Sequence, residues 1–67
     1  MNVYLNSEIV SIEDNSSLES LLQENSLAIK KGIAVAINNR IVPKNNWNVT
    51  PLEENDKVLV ISATKGG

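Results

Sequence analysis

The sequence predicts an α+β domain in which a mixed sheet of four to five strands carries one helix packed on one face. Three observations lead there. Val and Ile supply 14 of the 28 apolar side chains among 67 residues, and only Tyr4 and Trp47 are aromatic, so the core is built from β-branched aliphatics that favour strands. Leu18, Leu21 and Leu22 fall at i, i+3 and i+4, which places them on one helical face. Val58-Leu59-Val60-Ile61 is an unbroken apolar run, as expected of a central strand covered on most of both sides. So few apolar side chains fill one small core and not two, and the chain reads as a single domain.

The elements follow in order. Asn2 to Asn6 alternates polar and apolar, with Val3 and Leu5 on one face, and Glu8 to Ile12 follows the turn-forming pair Asn6-Ser7; together they read as a β-hairpin. Ser16 and Glu19 have the spacing of a capping box, which predicts a helix near residues 16–25 ending at Asn25-Ser26. Leu27, Ala28 and Ile29 add an irregular turn before Lys30-Lys31-Gly32 breaks away. Ile33 to Asn38 is a third strand with Val35 and Ile37 bulky on one face and Ala34 and Ala36 small on the other. Asn38-Asn39-Arg40 suits a turn because Asn tolerates positive φ, and Ile41-Val42 pairs back as a short strand stopped by Pro43. Lys44 to Val49 has room for one short helical turn, and Pro51 to Asp56 forms a second turn region before a last strand over residues 57–63.

The simplest two-layer solution packs the leucine stripe on the sheet, with the last strand beside and parallel to the first and Ile41-Val42 at an edge. Val3, Leu5, Val35, Ile37, Val58 and Val60 then face the helix. Alternation leaves Tyr4, Leu59 and Ile61 on the opposite, uncovered face, where they form a candidate docking patch for partners.

Composition excludes much chemistry. With no Cys and no His there is no thiolate nucleophile, no imidazole base and no zinc site of the usual ligands. Six scattered basic residues against eight acidic ones give a net charge of -2, which weighs against nucleic acid as a partner. The first residues lack the pattern of a signal peptide and no apolar stretch approaches membrane-spanning length, so a soluble cytoplasmic protein with no membrane partner is the expectation. Glu53, Glu54 and Asp56 read as an acidic turn and not a calcium loop, which needs more oxygen donors at regular alternation. Trp47 reads as packing over the edge of the small core in preference to serving as an exposed partner anchor.

The end of the chain is the informative feature. Gly66-Gly67 follows the last strand with only Thr64 and Lys65 between, dividing the chain into a domain over residues 1–63 and a flexible tail over 64–67. Four extended residues reach about 13 to 14 Å. That length carries a terminal carboxylate into another protein's active site, and residues without a Cβ thread a channel that larger side chains would block.

On these features the whole chain resembles the ubiquitin-like β-grasp sulfur carriers, and within them the sulfur carrier proteins of thiamine biosynthesis. The resemblance is carried by the opening hairpin, the Leu-Leu helix, Ala34-Val35-Ala36-Ile37-Asn38 continuing to Ile41-Val42-Pro43 and Trp47, the Asn55-Asp56-Lys57-Val58 turn into the last strand, and Gly66-Gly67. Two positions depart from the family pattern. Asn55 stands where the family commonly has Gly, though Asn tolerates the same left-handed backbone, and Thr64-Lys65 is more polar than the small apolar residues often found before the tail.

The resemblance implies a β-grasp fold and a carrier that is not itself an enzyme. An E1-like adenylyltransferase (ThiF-like) uses ATP and Mg to adenylate the Gly67 carboxylate; a sulfur donor protein then yields a thiocarboxylate, and a thiazole synthase (ThiG-like) takes the sulfur. The carrier binds no cofactor or metal itself, contributes Gly67 as the modified residue and Gly66, Lys65 and Thr64 as the tail, and is a monomer when free. Alternatives are the similarly Gly-Gly-ended small subunit of molybdopterin synthase, a ubiquitin-like modifier that conjugates through Gly67, and an interaction module with an idle tail.

Overall fold

A computed structural model describes residues 1–27 and 32–62. Within them the chain runs β1 (Asn2–Leu5), β2 (Glu8–Ser11), α1 (Leu18–Glu24), β3 (Ile33–Ile37), β4 (Arg40–Val42), a 3₁₀ segment (Lys44–Val49) and β5 (Lys57–Ser62). The strands make one five-stranded sheet in the order β2-β1-β5-β3-β4. β5 lies parallel to β1 and antiparallel to β3, so the most apolar strand is central and the three-residue β4 stands at an edge, as expected.

Both tight hairpins follow from their turn residues. Asn6 (φ 51°) and Ser7 (φ 74°) join β1 to β2, and Asn38 (φ 51°) and Asn39 (φ 71°) join β3 to β4. Positive φ at both central residues marks a type I′ turn, whose twist matches that of the flanking strands. A two-residue loop also sets the register, pairing Leu5 with Glu8 and Ile37 with Arg40. Asn55 (φ 70°) takes the left-handed backbone expected where a glycine is common.

The helix begins one residue later than the capping-box spacing predicts. Ser17 is the N-cap, and its Oγ accepts from Ser20 N at 3.1 Å. The cause is tertiary: Leu18 N donates to Thr50 O and Leu52 N to Ser16 O in a short bridge that holds Ser17 extended (φ -92°, ψ 166°) and so starts the helix after it. The Ser16 hydroxyl donates instead to Glu13 O at 2.6 Å. At the other end Leu27 N donates to Leu22 O and Ser26 N to Gln23 O, a Schellman closure with Ser26 at φ 61° where glycine is usual. Ala28 and Ile29 of the expected irregular turn, and Ala63 at the end of the last expected strand, lie outside the described residues.

Leu18, Leu21 and Leu22 are fully buried, as are Val3 and Val35 on the facing side of the sheet. Ile12, Leu52, Val58 and Trp47 complete the core. Burying each such side chain contributes about 1.5 to 3 kcal/mol. Trp47 is 4% exposed, and its Nε1 donates to Val42 O at 2.9 Å, so the indole closes the core between the 3₁₀ segment and β4. No helix among the described residues is long and apolar enough to cross a membrane.

Candidate functional site: the open face of the sheet

The sheet has two unlike sides. Val3, Val35 and Val58 sit in the core, with Leu5, Ile37 and Val60 packed against it, which is the helix-facing set read from alternation. On the other side nothing covers the sheet among the described residues. Leu59 and Ile61 are 48% and 47% exposed there, and Tyr4 is half-buried.

The register adds two residues that the sequence reading missed. Ile9 stands opposite Tyr4, and Ile41 stands opposite Ala36, which in turn pairs with Leu59. Both isoleucines are exposed. The apolar surface therefore runs from β2 across β1 and β5 to the β4 edge, lowest over Ala34 and Ala36. The signal was available: once each loop is two residues long, counting back through the pairs puts Ile9 and Ile41 on this side.

Tyr4 also pairs with Lys57, so the lysine stem starts on the same side. An open concavity of about 390 Å³ lies here, between the two hairpin turns, and is lined by Tyr4, Asn6, Ser7, Asn38, Asn39, Lys57, Val58 and Leu59.

Its rim is held by side-chain amides. Asn6 N donates to Val58 O at 2.9 Å, and the Asn6 Oδ1 accepts from Val60 N at 2.9 Å. Asn6 thus continues the parallel ladder by one rung after β1 has turned away. Asn38 Nδ2 donates to Asp56 Oδ1 at 2.9 Å, and its Oδ1 accepts from Lys57 N at 3.0 Å. The other Asp56 oxygen accepts from Glu53 N at 2.8 Å, and Glu54 Oε1 accepts from Asn2 N at 3.2 Å. The acidic turn expected over residues 53–56 is accordingly a structural device that fixes the start of β5 against β1 and the β3–β4 turn. No group of three or more acidic side chains among the described residues is arranged to hold a metal ion.

The ThiS family model matches residues 2–67, nearly the whole chain and including the final Gly66-Gly67. The chain belongs to the ThiS family. Its fold agrees with a crystal structure of a thiamine biosynthesis protein (ThiS) from Geobacter metallireducens at a TM-score of 0.85, with 19% identity and 100% of each chain covered. A solution structure of a thiamine biosynthesis protein from the same organism gives a TM-score of 0.76 at 19% identity, covering 100% of this chain and 88% of the other. At that identity the likeness establishes the β-grasp fold. No curated protein matches the chain.

The tail residues Thr64, Lys65, Gly66 and Gly67 singled out from the sequence lie outside the described residues. β5 ends at Ser62, beside Ile33 of β3. From Lys57 to Ser62 the strand rises about 17 Å. The concavity, at Lys57 to Leu59, thus lies toward the opposite end of this central strand from Ser62.

Proposed function

We propose that this chain is a sulfur carrier of thiamine biosynthesis, acting through the carboxylate of Gly67 and catalysing nothing itself. The observation that carries the reading is the ThiS family match, which continues through Gly66-Gly67 to residue 67. A carboxylate is a poor electrophile, because its charge repels nucleophiles and oxide is a bad leaving group. An E1-like adenylyltransferase with ATP and Mg solves this: the Gly67 carboxylate oxygen attacks the α-phosphorus, pyrophosphate leaves, and an acyl adenylate forms. Sulfide-level sulfur supplied by a donor protein then attacks the acyl carbon and expels AMP, leaving a thiocarboxylate that a thiazole synthase consumes. None of these steps asks for a side-chain acid, base or nucleophile from the carrier, in keeping with a chain that has no Cys and no His.

The open face supports the same reading. Leu59 and Ile61 on the strand that leads to the tail, with Tyr4 on the neighbouring β1, offer a partner an apolar surface, so docking there orients the carboxylate toward the partner's nucleotide. The reactions described place the carrier in the cytoplasm with its nucleotide-dependent partner.

Intact mass after incubation with the cognate adenylyltransferase, ATP, Mg and a sulfur source tests the proposal. Replacement of one C-terminal oxygen by sulfur is the expected result. A stable isopeptide-linked product would make the chain a modifier, and an unchanged mass with active partner would refute the carrier reading.

A further inference from the structure

Lys57 is the single charged residue at the strand positions that face the open side; the others there are apolar or neutral. Arg40 and Glu8 pair with Ile37 and Leu5 and so belong to the other side of the sheet. Among the described residues, no carboxylate lies within ion-pair distance of the Lys57 ammonium. The lysine also lines the concavity, with Tyr4 and Leu59 as apolar walls and amides from both turns at the rim.

A cation without an ion-pair partner among the described residues, in a hollow of an otherwise uncharged apolar face, defines its complement: an apolar surface bearing one carboxylate. We propose that the open face docks a partner protein by seating one acidic side chain, Asp or Glu, in the concavity, with Lys57 as its counter-charge. The inference rests on the carrier reading above and deepens it by naming the chemistry of the partner surface.

The site's position serves that purpose. Lying about 17 Å along β5 from Ser62, a seated carboxylate fixes the orientation of the body well away from the residues that follow β5. Covered by the docked partner, the pair is shielded from water and salt and is stronger than a fully exposed one. A second copy of this chain is a poor occupant, because face-to-face association leaves each Lys57 against an apolar surface with no carboxylate at its strand positions.

The test uses the full chain and its cognate adenylyltransferase, with Lys57→Arg, Lys57→Met and Lys57→Glu checked for folding by Trp47 emission. Lys57→Arg should bind within about twofold of wild type, Lys57→Met several-fold more weakly, and Lys57→Glu at least about tenfold more weakly. Added salt should weaken wild type much more than Lys57→Met. Wild-type binding with unchanged affinity for Lys57→Glu overturns the docking proposal alone, whereas failure of wild type to bind overturns the carrier reading with it. Concentration-dependent dimerisation of the free chain in sedimentation would seat a second copy on the face and also overturn the proposal.

Discussion

Asn6 combines two roles that substitution can separate. Its backbone holds φ at 51° in the type I′ turn, and its Oδ1 accepts the Val60 amide, 54 residues away, at 2.9 Å. A non-glycine residue without a short polar side chain loses about 1 kcal/mol in the left-handed region, and losing this solvent-exposed hydrogen bond costs about 1 kcal/mol, the usual net value of one. Asn6→Ala should therefore destabilise the domain by about 2 kcal/mol, a substantial share of the roughly 3 to 10 kcal/mol expected for a chain this short. Asn6→Gly relieves the backbone and loses the acceptor, for about 1 kcal/mol, with a small addition from greater freedom of the unfolded chain. Asn6→Asp keeps both features and should cost under about 0.5 kcal/mol.

The single tryptophan, buried in the core, reports unfolding in urea. At about 4 to 8 °C per kcal/mol, Asn6→Ala should melt about 8 to 16 °C lower than wild type. Hydrogen exchange at the Val60 amide should accelerate in the Ala and Gly variants and stay slow in Asp. If Asn6→Asp falls as far as Asn6→Ala, or Val60 exchange is the same in wild type and Asn6→Gly, the side-chain rung contributes nothing and the reasoning fails.

Three further outcomes are expected. Deleting Gly67 moves the terminal carboxylate back by about 3.5 Å and should abolish ATP–pyrophosphate exchange with the adenylyltransferase, while Gly66→Ala, which adds a Cβ and restricts φ, should slow exchange with the melting temperature unchanged; full exchange without Gly67 would eliminate the carrier hypothesis. Leu59→Glu puts a charge on the exposed apolar face and should weaken adenylyltransferase binding with little change in urea midpoint, whereas a collapse of stability would mean that this side chain is needed in the fold itself. Leu21→Ala empties part of a fully buried site and should cost about 2 to 5 kcal/mol, enough to leave much of the population unfolded by Trp47 fluorescence; a loss under about 1 kcal/mol would show that α1 is not packed as described.

Much of the architecture is legible in the residues because its causes are local. Alternation has a period of two, and an Asn-Ser or Asn-Asn pair at positive φ closes a hairpin with one register, so the side of the sheet taken by each residue of β1 to β4 follows by counting. That is how Tyr4 is placed on the open side from sequence, and how Ile9 and Ile41 belong there too; Leu59 and Ile61 follow from alternation along β5 with Val58 and Val60 facing the helix. The leucine stripe, the 3₁₀ turn at Lys44–Val49 and the burial of Trp47 are readable for the same reason: each depends on spacing or hydrophobicity within a few residues.

What only the tertiary structure decided are the contacts whose partners lie far apart in the chain. The Ser16–Glu19 spacing is a sound helix start by itself, yet the bridge between Ser17 and Pro51 holds Ser17 extended and makes it the cap. The Asn38 bonds to Asp56 and Lys57 and the Asn6 bond to Val60 exist because β5 inserts between β1 and β3, bringing both turns to one strand. The concavity around Lys57 arises from that same insertion. Periodicity and turn chemistry determine which way a side chain points, because they act along the chain; which distant groups meet is determined by the strand order, since closing those loops is repaid only when the whole core forms.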